Sequence, residues 1–571
     1  MLRKTVIRHE GHKKKIKNRD LHPVLDRVIG NRNCQYIEYE LEDLLRPQAL
    51  KNIEITTDEL IRYRREQKNI LIIGDYDCDG ATASTVAIKG LRALGFTNVD
   101  YLIPNRFKSG YGLSLNIVKQ ALERKDKPEV LITVDNGITS IEGVDYAISK
   151  GLKVIITDHH LPGNHLPNTP TIINPQLPGD QFQSKATAGV GVIFYVLLAL
   201  RQKMREQGMF EKAAPNFMQF LDLVALGTIA DCVPFDKNNR ILISHGLRKI
   251  REGRMSIGLE ALLSDEKSKL ADITTTDIAF KVAPKLNAVG RMDDMTVGVR
   301  CLLSESEGEA EELANILKNH NTTRKLKQNE IQTDALRKMA KSDKHGIVLY
   351  DKSWHQGIIG IVASKIKEEK YRPCIIFAED DDGYIKGSGR SIEGINLRDT
   401  LAKISEKNNI LKKFGGHSMA AGMSILKKDL ETFSAMFDAE IKQYDEALFT
   451  PVLYTDGVLK NEEMNTETAK AIDAYGIWGQ GYEEPIFEKK MTVISKRLIK
   501  EKHIKLTLST GEKMKVNAMW FFCTEKDYNN IETNEDYQVY FKLNVSEYLG
   551  EEQFSIFIEH MDCVGSDIKA N

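Results

Sequence analysis

A chain of 571 residues is longer than one hydrophobic core can organise, so several domains are expected. Its 80 Lys and Arg are matched by 81 Asp and Glu, which excludes a general electrostatic pull on a polyanion and leaves any nucleic-acid binding to local patches. No apolar run is long enough to span a membrane and no apolar signal region follows the basic start; seven cysteines without a C-x-x-C pair argue against a disulfide framework, so a soluble protein of the reducing cytoplasm is expected.

Residues 1–21 carry Arg3, Lys4, Arg8, Lys13, Lys14, Lys15, Lys17 and Arg19 with little to anchor them, and read as a solvated basic tail or as a nucleic-acid-binding arm. From His22 the pattern turns helical. At Ile70 a fully apolar run begins that ends in Asp75, Asp77 and Asp79, as expected of a buried parallel strand feeding a loop. Two further runs end alike, one in Asp135 and the other in Asp158, His159 and His160, with helical patterns at 81–94, 113–124 and 140–150 between them. Strand, helix, strand implies a parallel sheet, which gathers all three acidic ends on one edge. One D-x-D alone would read as a turn-forming acid pair. Carboxylates this close stay ionised together only around cations, so a divalent metal site is expected.

Residues 190–200 read as a core helix rather than a membrane span, and the apolar stretch 217–226 delivers Gly227 and Asp231, in a domain expected over 22–264. Within a connecting segment at 265–342, residues 306–342 read as one helix of roughly 50 Å, either a spacer between lobes or an ordinary surface helix. Strands at 346–350 and 374–378 with helices at 358–369 and 429–441 make a smaller α/β lobe over 343–450. Over 451–571, five β runs joined by short turns suit an OB-type barrel. The fold class is thus α/β, with a parallel-sheet domain, a long connecting helix, a second α/β domain and a terminal β-barrel.

Two divalent ions held close together can activate a water and neutralise the charge of an anionic substrate. Carboxylates with one or two imidazoles favour Mn²⁺ or Mg²⁺ over zinc. Cys78 and Cys232 read as small buried fillers, because alternation at a strand end turns Cys78 away from the acids. The stretches 387–391 and 415–417 read either as plain turns or as anion sites with open backbone N–H groups, the Arg390 guanidinium and the His417 imidazole. On the barrel, Lys496, Arg497, Lys500, Lys502 and Lys505 with Trp520 and Tyr540 could track a strand, although each aromatic taken singly reads as core.

Asp75-Tyr76-Asp77-Cys78-Asp79-Gly80, Val134-Asp135-Asn136-Gly137, Asp158-His159-His160 and Gly227-Thr228-Ile229-Ala230-Asp231 resemble the four ordered motifs of the DHH phosphoesterase superfamily. Leu286-Asn287-Ala288-Val289-Gly290-Arg291-Met292, Trp354-His355-Gln356-Gly357, Gly387-Ser388-Gly389-Arg390-Ser391 and Phe414-Gly415-Gly416-His417 resemble its RecJ branch. The resemblance runs from about His22 to the C-terminus. It implies a 5′ to 3′ exonuclease of single-stranded DNA acting in recombination and repair, with two Mn²⁺ or Mg²⁺ ions. Asp77 and Asp79 would each hold a different ion, Asp135 would bridge them, His159 and Asp231 would complete the second, and Asp75 would bind or support the first. Asp158 would orient its neighbours, and His160 would touch the scissile phosphate or protonate the leaving group. Arg106, Arg291, Ser388 and Arg390 would bind the 5′ phosphate, with Asn287, His355, Gly416 and His417 near the substrate. It further implies a monomer with no membrane attachment, working beside a single-strand-binding protein and a RecQ-type helicase. Glu483 stands where the family commonly has proline, which puts that loop's shape in doubt. A phosphodiesterase of short oligonucleotides and an inactive assembly scaffold are the competing readings; the barrel argues against the first and the complete set of ligands against the second.

Overall fold

The computed structural model describes residues 4–9, 21–32, 38–106, 110–265, 269–339, 344–511, 514–523, 525–548 and 551–564. They form two compact units: Glu38–Asn329 with Ile477–Glu483, and Met1–Ile37 with Glu330–Gly476 and Glu484–Asn571.

The described chain opens with strand β1 (Thr5–Arg8) and helix Pro23–Asn31, both of the second unit. The first unit is built on β2 (Ile70–Ile73), β3 (Val99–Leu102), β4 (Val130–Val134), β5 (Lys153–Thr157) and β6 (Ile172–Ile173), an all-parallel sheet in the order β3-β2-β4-β5-β6. Every residue of β2 and β4 is buried, as unbroken apolar runs require. Ile73 lies beside Thr133 and Thr133 beside Ile156, so the residues two places further on, Asp75, Asp135 and Asp158, leave the sheet in one row. Helices Leu115–Leu122 and Ile141–Ser149 cover one face through Ile117, Val118, Val144 and Ala147 against Leu71, Ile73, Leu131 and Ile156.

The remaining helices of this unit include Cys78–Ala93, Gly189–Glu206, Leu221–Ala230, Lys237–Arg251, Ala283–Met292 and Thr296–Leu303. Residues 265–329 are therefore not a connector but part of this unit. The segment Ile477–Glu483 returns to it: Phe235 N–H donates to the Gln480 carbonyl at 2.8 Å, Thr275 Oγ1 to the Trp478 carbonyl at 2.7 Å, and the Arg240 guanidinium lies 3.9 Å from the Tyr482 ring centre. Glu483 accepts from the Gly481 N–H at 3.0 Å and closes this turn without proline.

The long helix is Glu307–Met339, 33 residues, and its last turns enter the core of the second unit through Ile331, Ala335 and Met339. There β7 (Ile347–Tyr350), β8 (Cys374–Glu379), β9 (Tyr384–Arg390), β10 (Leu411–Gly416) and β11 (Ala420–Leu426) form a mixed sheet ordered β10-β11-β9-β8-β7. Strand β12 (Val452–Thr455) pairs in parallel with β1. The chain ends in β13 (Phe487–Ile499), β14 (His503–Ser509), β15 (Lys515–Phe521), β16 (Asp536–Tyr548) and β17 (Glu551–Cys563), closed as β13-β14-β15-β17-β16. The expected OB-type barrel is thus present.

Three expectations are corrected. Part of the basic tail is structural: beyond the β1 pairing, Arg8 Nε donates to Glu488 at 2.6 Å and Lys4 Nζ to the Glu559 carbonyl at 3.1 Å, while residues 10–20 lie outside the described chain. The first unit does not begin at 22, because helix Pro23–Asn31 belongs to the second unit, where Arg27 meets Glu463 at 2.8 Å and Arg32 the fully buried Asp456 at 2.6 Å. The glycines at 387 and 389 lie in strand β9, bonded on both sides by β8 and β11, so their amides are spent in the sheet. They are glycines for packing: a Cβ at Gly387 would stand 2.5 Å from the Phe377 ring, and one at Gly389 2.7 Å from Leu397.

Candidate metal centre

Just beyond β2 the chain turns into helix Cys78–Ala93, so the acid triplet straddles a helix start rather than extending the strand. Asp77 is the cap: its Oδ1 accepts the Gly80 N–H at 3.0 Å. Asp79 lies in the first turn and accepts the Gly189 and Val190 N–H groups at 2.6 and 3.0 Å, where helix Gly189–Glu206 begins. Cys78 is fully buried because of this helical geometry, not strand alternation, whereas Cys232 is exposed, against expectation. Both lie apart from the ligand groups described below.

Asp135 sits in the left-handed region at φ 62°, and Asn136 clamps the strand ends by donating to the Ile73 and Val134 carbonyls at 3.0 and 2.9 Å. Glycines let neighbouring backbone approach: a Cβ at Gly189 would stand 2.5 Å from Asp135 Cβ, and one at Gly227 2.7 Å from Asp79 Oδ1. Asp231 follows helix Leu221–Ala230. Ligand atoms of Asp75, Asp77 and Asp135 lie within 4.8 Å of one another, as do those of Asp79, His159 and Asp231, and those of Asp135, His159 and His160. Residues from four separate stretches of sequence therefore form three overlapping groups, joined through Asp135 and His159.

The electrostatics fit cations. Burial, then neighbouring carboxylate charge, pushes Asp75, Asp135 and Asp231 well above the usual carboxylate range, and Asp79 up to about 7. Burial drives His159 down to about 4, so its imidazole is neutral at pH 7. Its Nε2 nevertheless lies 3.1 Å from Asp135 Oδ1 and 3.4 Å from Asp231 Oδ2. All three atoms, with Asp75 Oδ1, are buried and have no hydrogen-bond partner among the described residues. Converging lone pairs of that kind are what a hard divalent ion satisfies, and carboxylate oxygen with one imidazole matches Mn²⁺ or Mg²⁺.

Asp158 has a different task. Its Oδ1 accepts the His159 and His160 N–H groups at 2.7 and 3.1 Å and meets His160 Nδ1 at 2.8 Å; its Oδ2 accepts the Ile138 N–H at 2.9 Å. Burial opposes charge on both groups of the pair, yet their bond and mutual attraction win, holding Asp158 below the usual carboxylate range and raising His160 to about 9.

The candidate substrate residues divide between the units. In the first, the Arg106 guanidinium lies 4.8 Å from the Tyr76 ring centre. Arg291 follows Gly290, where a Cβ would stand 1.7 Å from the Tyr76 carbonyl oxygen. Asn287 accepts the Cys78 N–H on its Oδ1 at 2.8 Å and so fixes the acid loop. Tyr111, overlooked in the sequence, sets its hydroxyl 3.4 Å from His160 Nε2 and its ring edge-on to those of Tyr76 and His160. The flanking Gly110 and Gly112, both at positive φ, were the available signal.

In the second unit, Arg390 Nη1 donates to Ser388 Oγ at 3.1 Å and the Gly389 carbonyl at 2.8 Å. Both side chains face the start of helix Ile359–Lys370, since a Cβ at Gly360 would stand 2.8 Å from Ser388 Oγ and 3.1 Å from Arg390 Nη2. His355 Nδ1 accepts the Gly357 N–H at 3.0 Å just before that helix. A guanidinium, a hydroxyl and a helix N-terminus together suit a phosphate. Gly416, at φ 135°, ends β10, and the exposed His417 follows it. On the barrel, Trp520 and Tyr540 are buried and Lys496 donates to the Tyr528 and Ile531 carbonyls at 2.8 and 2.5 Å, so these three are structural. The outward aromatics are instead Phe521, 42 % exposed, and Phe522, 87 % exposed, grouped with His503 and Phe557; Lys505 shares β14 with His503, and Arg497 on β13 pairs with Lys505.

Family models match three parts of the chain: the DHH family N-terminal domain over residues 69–228, the DHHA1 domain over 343–443 and the RecJ OB domain over 455–560. A single-stranded-DNA-specific exonuclease RecJ of Haemophilus influenzae is 40 % identical over 573 aligned residues, covering 96 % of this chain and 99 % of that protein. The protein of the same name in Escherichia coli is also 40 % identical, over 95 % of this chain and 96 % of its own. The crystal structure of RecJ in complex with Mn²⁺ from Thermus thermophilus superposes with a TM-score of 0.83 at 25 % identity, covering 98 % of this chain and 79 % of that one.

Proposed function

The chain belongs to the RecJ family of single-stranded-DNA-specific exonucleases, and on that premise we propose that it removes nucleotides from the 5′ end of a single DNA strand by phosphodiester hydrolysis at the centre of Asp75, Asp77, Asp79, Asp135, His159 and Asp231. The observation that carries this reading is the convergence of buried, unpartnered carboxylate and imidazole atoms from those residues. Asp75 and Asp77 would hold one ion and Asp79, His159 and Asp231 the other, with Asp135 placed to serve both. Two Mn²⁺ or Mg²⁺ ions, when bound, supply the positive charge and Lewis acidity that in-line displacement at phosphorus requires.

Asp158 fixes the His160 ring through Nδ1 and keeps it protonated, so its Nε2–H faces outward as a donor to the scissile phosphate or the departing oxygen. Tyr111 stands beside that nitrogen and steadies the ring. Arg106 and Arg291 neutralise phosphate oxygens on the first unit. On the second, Ser388 and Arg390 bind the terminal 5′ phosphate, with His355, Gly416 and His417 near the bound end. The barrel's outward Phe521 and Phe522 with Arg497 and Lys505 offer a sequence-tolerant track of stacking and charge.

This activity trims 5′ ends during recombination and repair, in the cytoplasm, beside a single-strand-binding protein and a RecQ-type helicase. No described helix is long and apolar enough to cross a membrane, and a monomer suffices for this reading because the candidate ligand atoms gather within a single chain. The test is a single strand labelled at either end and digested with Mn²⁺. Mononucleotides released first from the 5′ label are expected; release from the 3′ label first, or equal attack on blunt duplex, would overturn the polarity and the strand preference.

A further inference from the structure

A cavity of about 470 Å³ opens in the first unit at the far ends of two helices that deliver metal ligands. Helix Cys78–Ala93 carries Asp79 in its first turn and Lys89 and Arg92 in its last turns, so Lys89 stands about 15 Å along the axis from Asp79. Helix Leu221–Ala230 is followed by Asp231, whereas Asp222 in its first turn faces the cavity. Lys249 and Arg254 complete the basic wall, against the carboxylates of Asp222 and Glu305. Four cations line the cavity against two carboxylates, and Glu252, which pairs with Arg254, leaves a local formal charge of +1.

Asp222 is already committed, since its Oδ2 accepts the Ser256 N–H at 2.7 Å and its Oδ1 lies 3.4 Å from Lys249 Nζ. Arg254 pairs with Glu252, away from the two acids of the wall. Lys89 has neither hydrogen bond nor ion pair among the described residues, although it is half-buried and burial pushes its ammonium pKa down. Ser256 Oγ is likewise buried without a partner. An ammonium and a hydroxyl both lacking an acceptor, inside a cationic cavity, are donors for an anion.

A phosphate monoester carries about −1.5 to −2 charges at neutral pH, opposite in sign to the wall. The rest of the lining includes Phe220, Leu223, Met255 and Leu303, able to shelter a flat apolar group, and the volume falls within the range of small-ligand pockets. We propose that this cavity is a second, non-catalytic site for a nucleoside 5′-monophosphate, its phosphate on Lys89, Arg92 and Ser256 and its base on the apolar wall. Binding there requires no turnover, so the proposal goes beyond the nuclease reading and does not depend on it.

Calorimetric titration of the full-length chain with dAMP, without divalent ions and on an Arg390→Ala background to silence the phosphate-binding residues of the second unit, tests it. One site per chain is expected, weakened at least tenfold by Lys89→Met and by the solvent-side Arg254→Glu, and retained in Lys89→Arg. Both weakening substitutions should leave the exonuclease rate of the otherwise unaltered protein in place. Absence of binding on the Arg390→Ala background, or unchanged affinity in the folded Arg254→Glu and Lys89→Met variants, would overturn the site. Equal affinity for inorganic phosphate would overturn the nucleoside assignment, and tighter binding of a 5′-phosphorylated oligonucleotide would overturn the mononucleotide one.

Discussion

At His160 two opposing effects meet, burial that disfavours charge and an Asp158 carboxylate that demands it, and the carboxylate prevails by raising the imidazole to about 9. Asp158→Asn removes that charge and returns His160 toward or below its ordinary range. A reaction using protonated His160 should then lose activity above about pH 6.5 rather than about pH 9. The alkaline limb of the kcat profile should shift down by about two units, with kcat at pH 8 reduced on the order of tenfold or more and KM little changed. An unshifted limb would assign Asp158 to folding alone. The carboxylates of the candidate metal centre carry a second pH dependence. Burial and then the charge of Asp77 raise folded Asp79 to about 7, whereas the unfolded group ionises near pH 4, so its stabilising proton is held below about pH 4 and lost as pH rises through 7. Without divalent ions the melting temperature should fall between pH 5 and pH 8. Saturating Mn²⁺ should raise it, more at pH 8 than at pH 5, because the ions bind the ionised folded form; a metal-free melting temperature climbing across that window would contradict this. The acids were legible in the sequence because each of the first three clusters ends an apolar strand. Tyr111 was not, since a lone tyrosine between two glycines carries no periodic signal, nor was the hold of Asn287 Oδ1 on the Cys78 amide, which a motif position does not reveal.

Among the elements, the centre depends on how closely three helix segments approach. Gly189 begins one helix with its backbone against Asp135, and Gly227 sets another against Thr82 and Asp79. Gly189→Ala and Gly227→Ala would each insert a methyl where atoms already stand within 2.7 Å, so a carboxylate must move. Each should lose roughly 1–3 kcal/mol of stability, as overpacking does, and weaken Mn²⁺ binding at least tenfold by calorimetry. Gly308→Ala is the control: nothing lies within 4 Å of its added methyl, and an exposed helical glycine so replaced should gain roughly 0.5–1 kcal/mol with metal affinity unchanged. Equal effects at all three positions would mean that the close approaches are not what shapes the site. Helices and parallel strands were readable from their periods. The glycines of β9 were not, because glycine signals a turn in an isolated sequence, and only the Phe377 and Leu397 side chains packed against them explain them.

For the molecule as a whole, the least legible features are pairings between distant segments: β1 with β12, Arg32 with Asp456, and the return of Ile477–Glu483 to the catalytic unit. No local pattern announces that residue 5 will bond beside residue 452, and a basic run looks the same whether it is a tail or an edge strand. The barrel shows the same limit from another side. Its five strands were evident from composition, yet which aromatics face out depends on alternation along β15 and on where that strand ends, and the outcome is opposite for neighbours: Trp520 points in, Phe521 and Phe522 out. Phe522 is the telling case, a bulky side chain 87 % exposed on a backbone held at φ 55°, where neither burial nor conformational ease favours phenylalanine. Stacking on a base would account for it at about 1–3 kcal/mol per ring. Phe521→Ala with Phe522→Ala should therefore raise KM for a long single strand by roughly tenfold or more while leaving hydrolysis of a dinucleotide unchanged, since a dinucleotide is too short to need the track. Lys496→Ala should instead lower the melting temperature without that length dependence, because its ammonium holds the Tyr528 and Ile531 carbonyls. If the double variant lost activity on both substrates alike, the rings would belong to the stability of the barrel, and the track would have to run over another face.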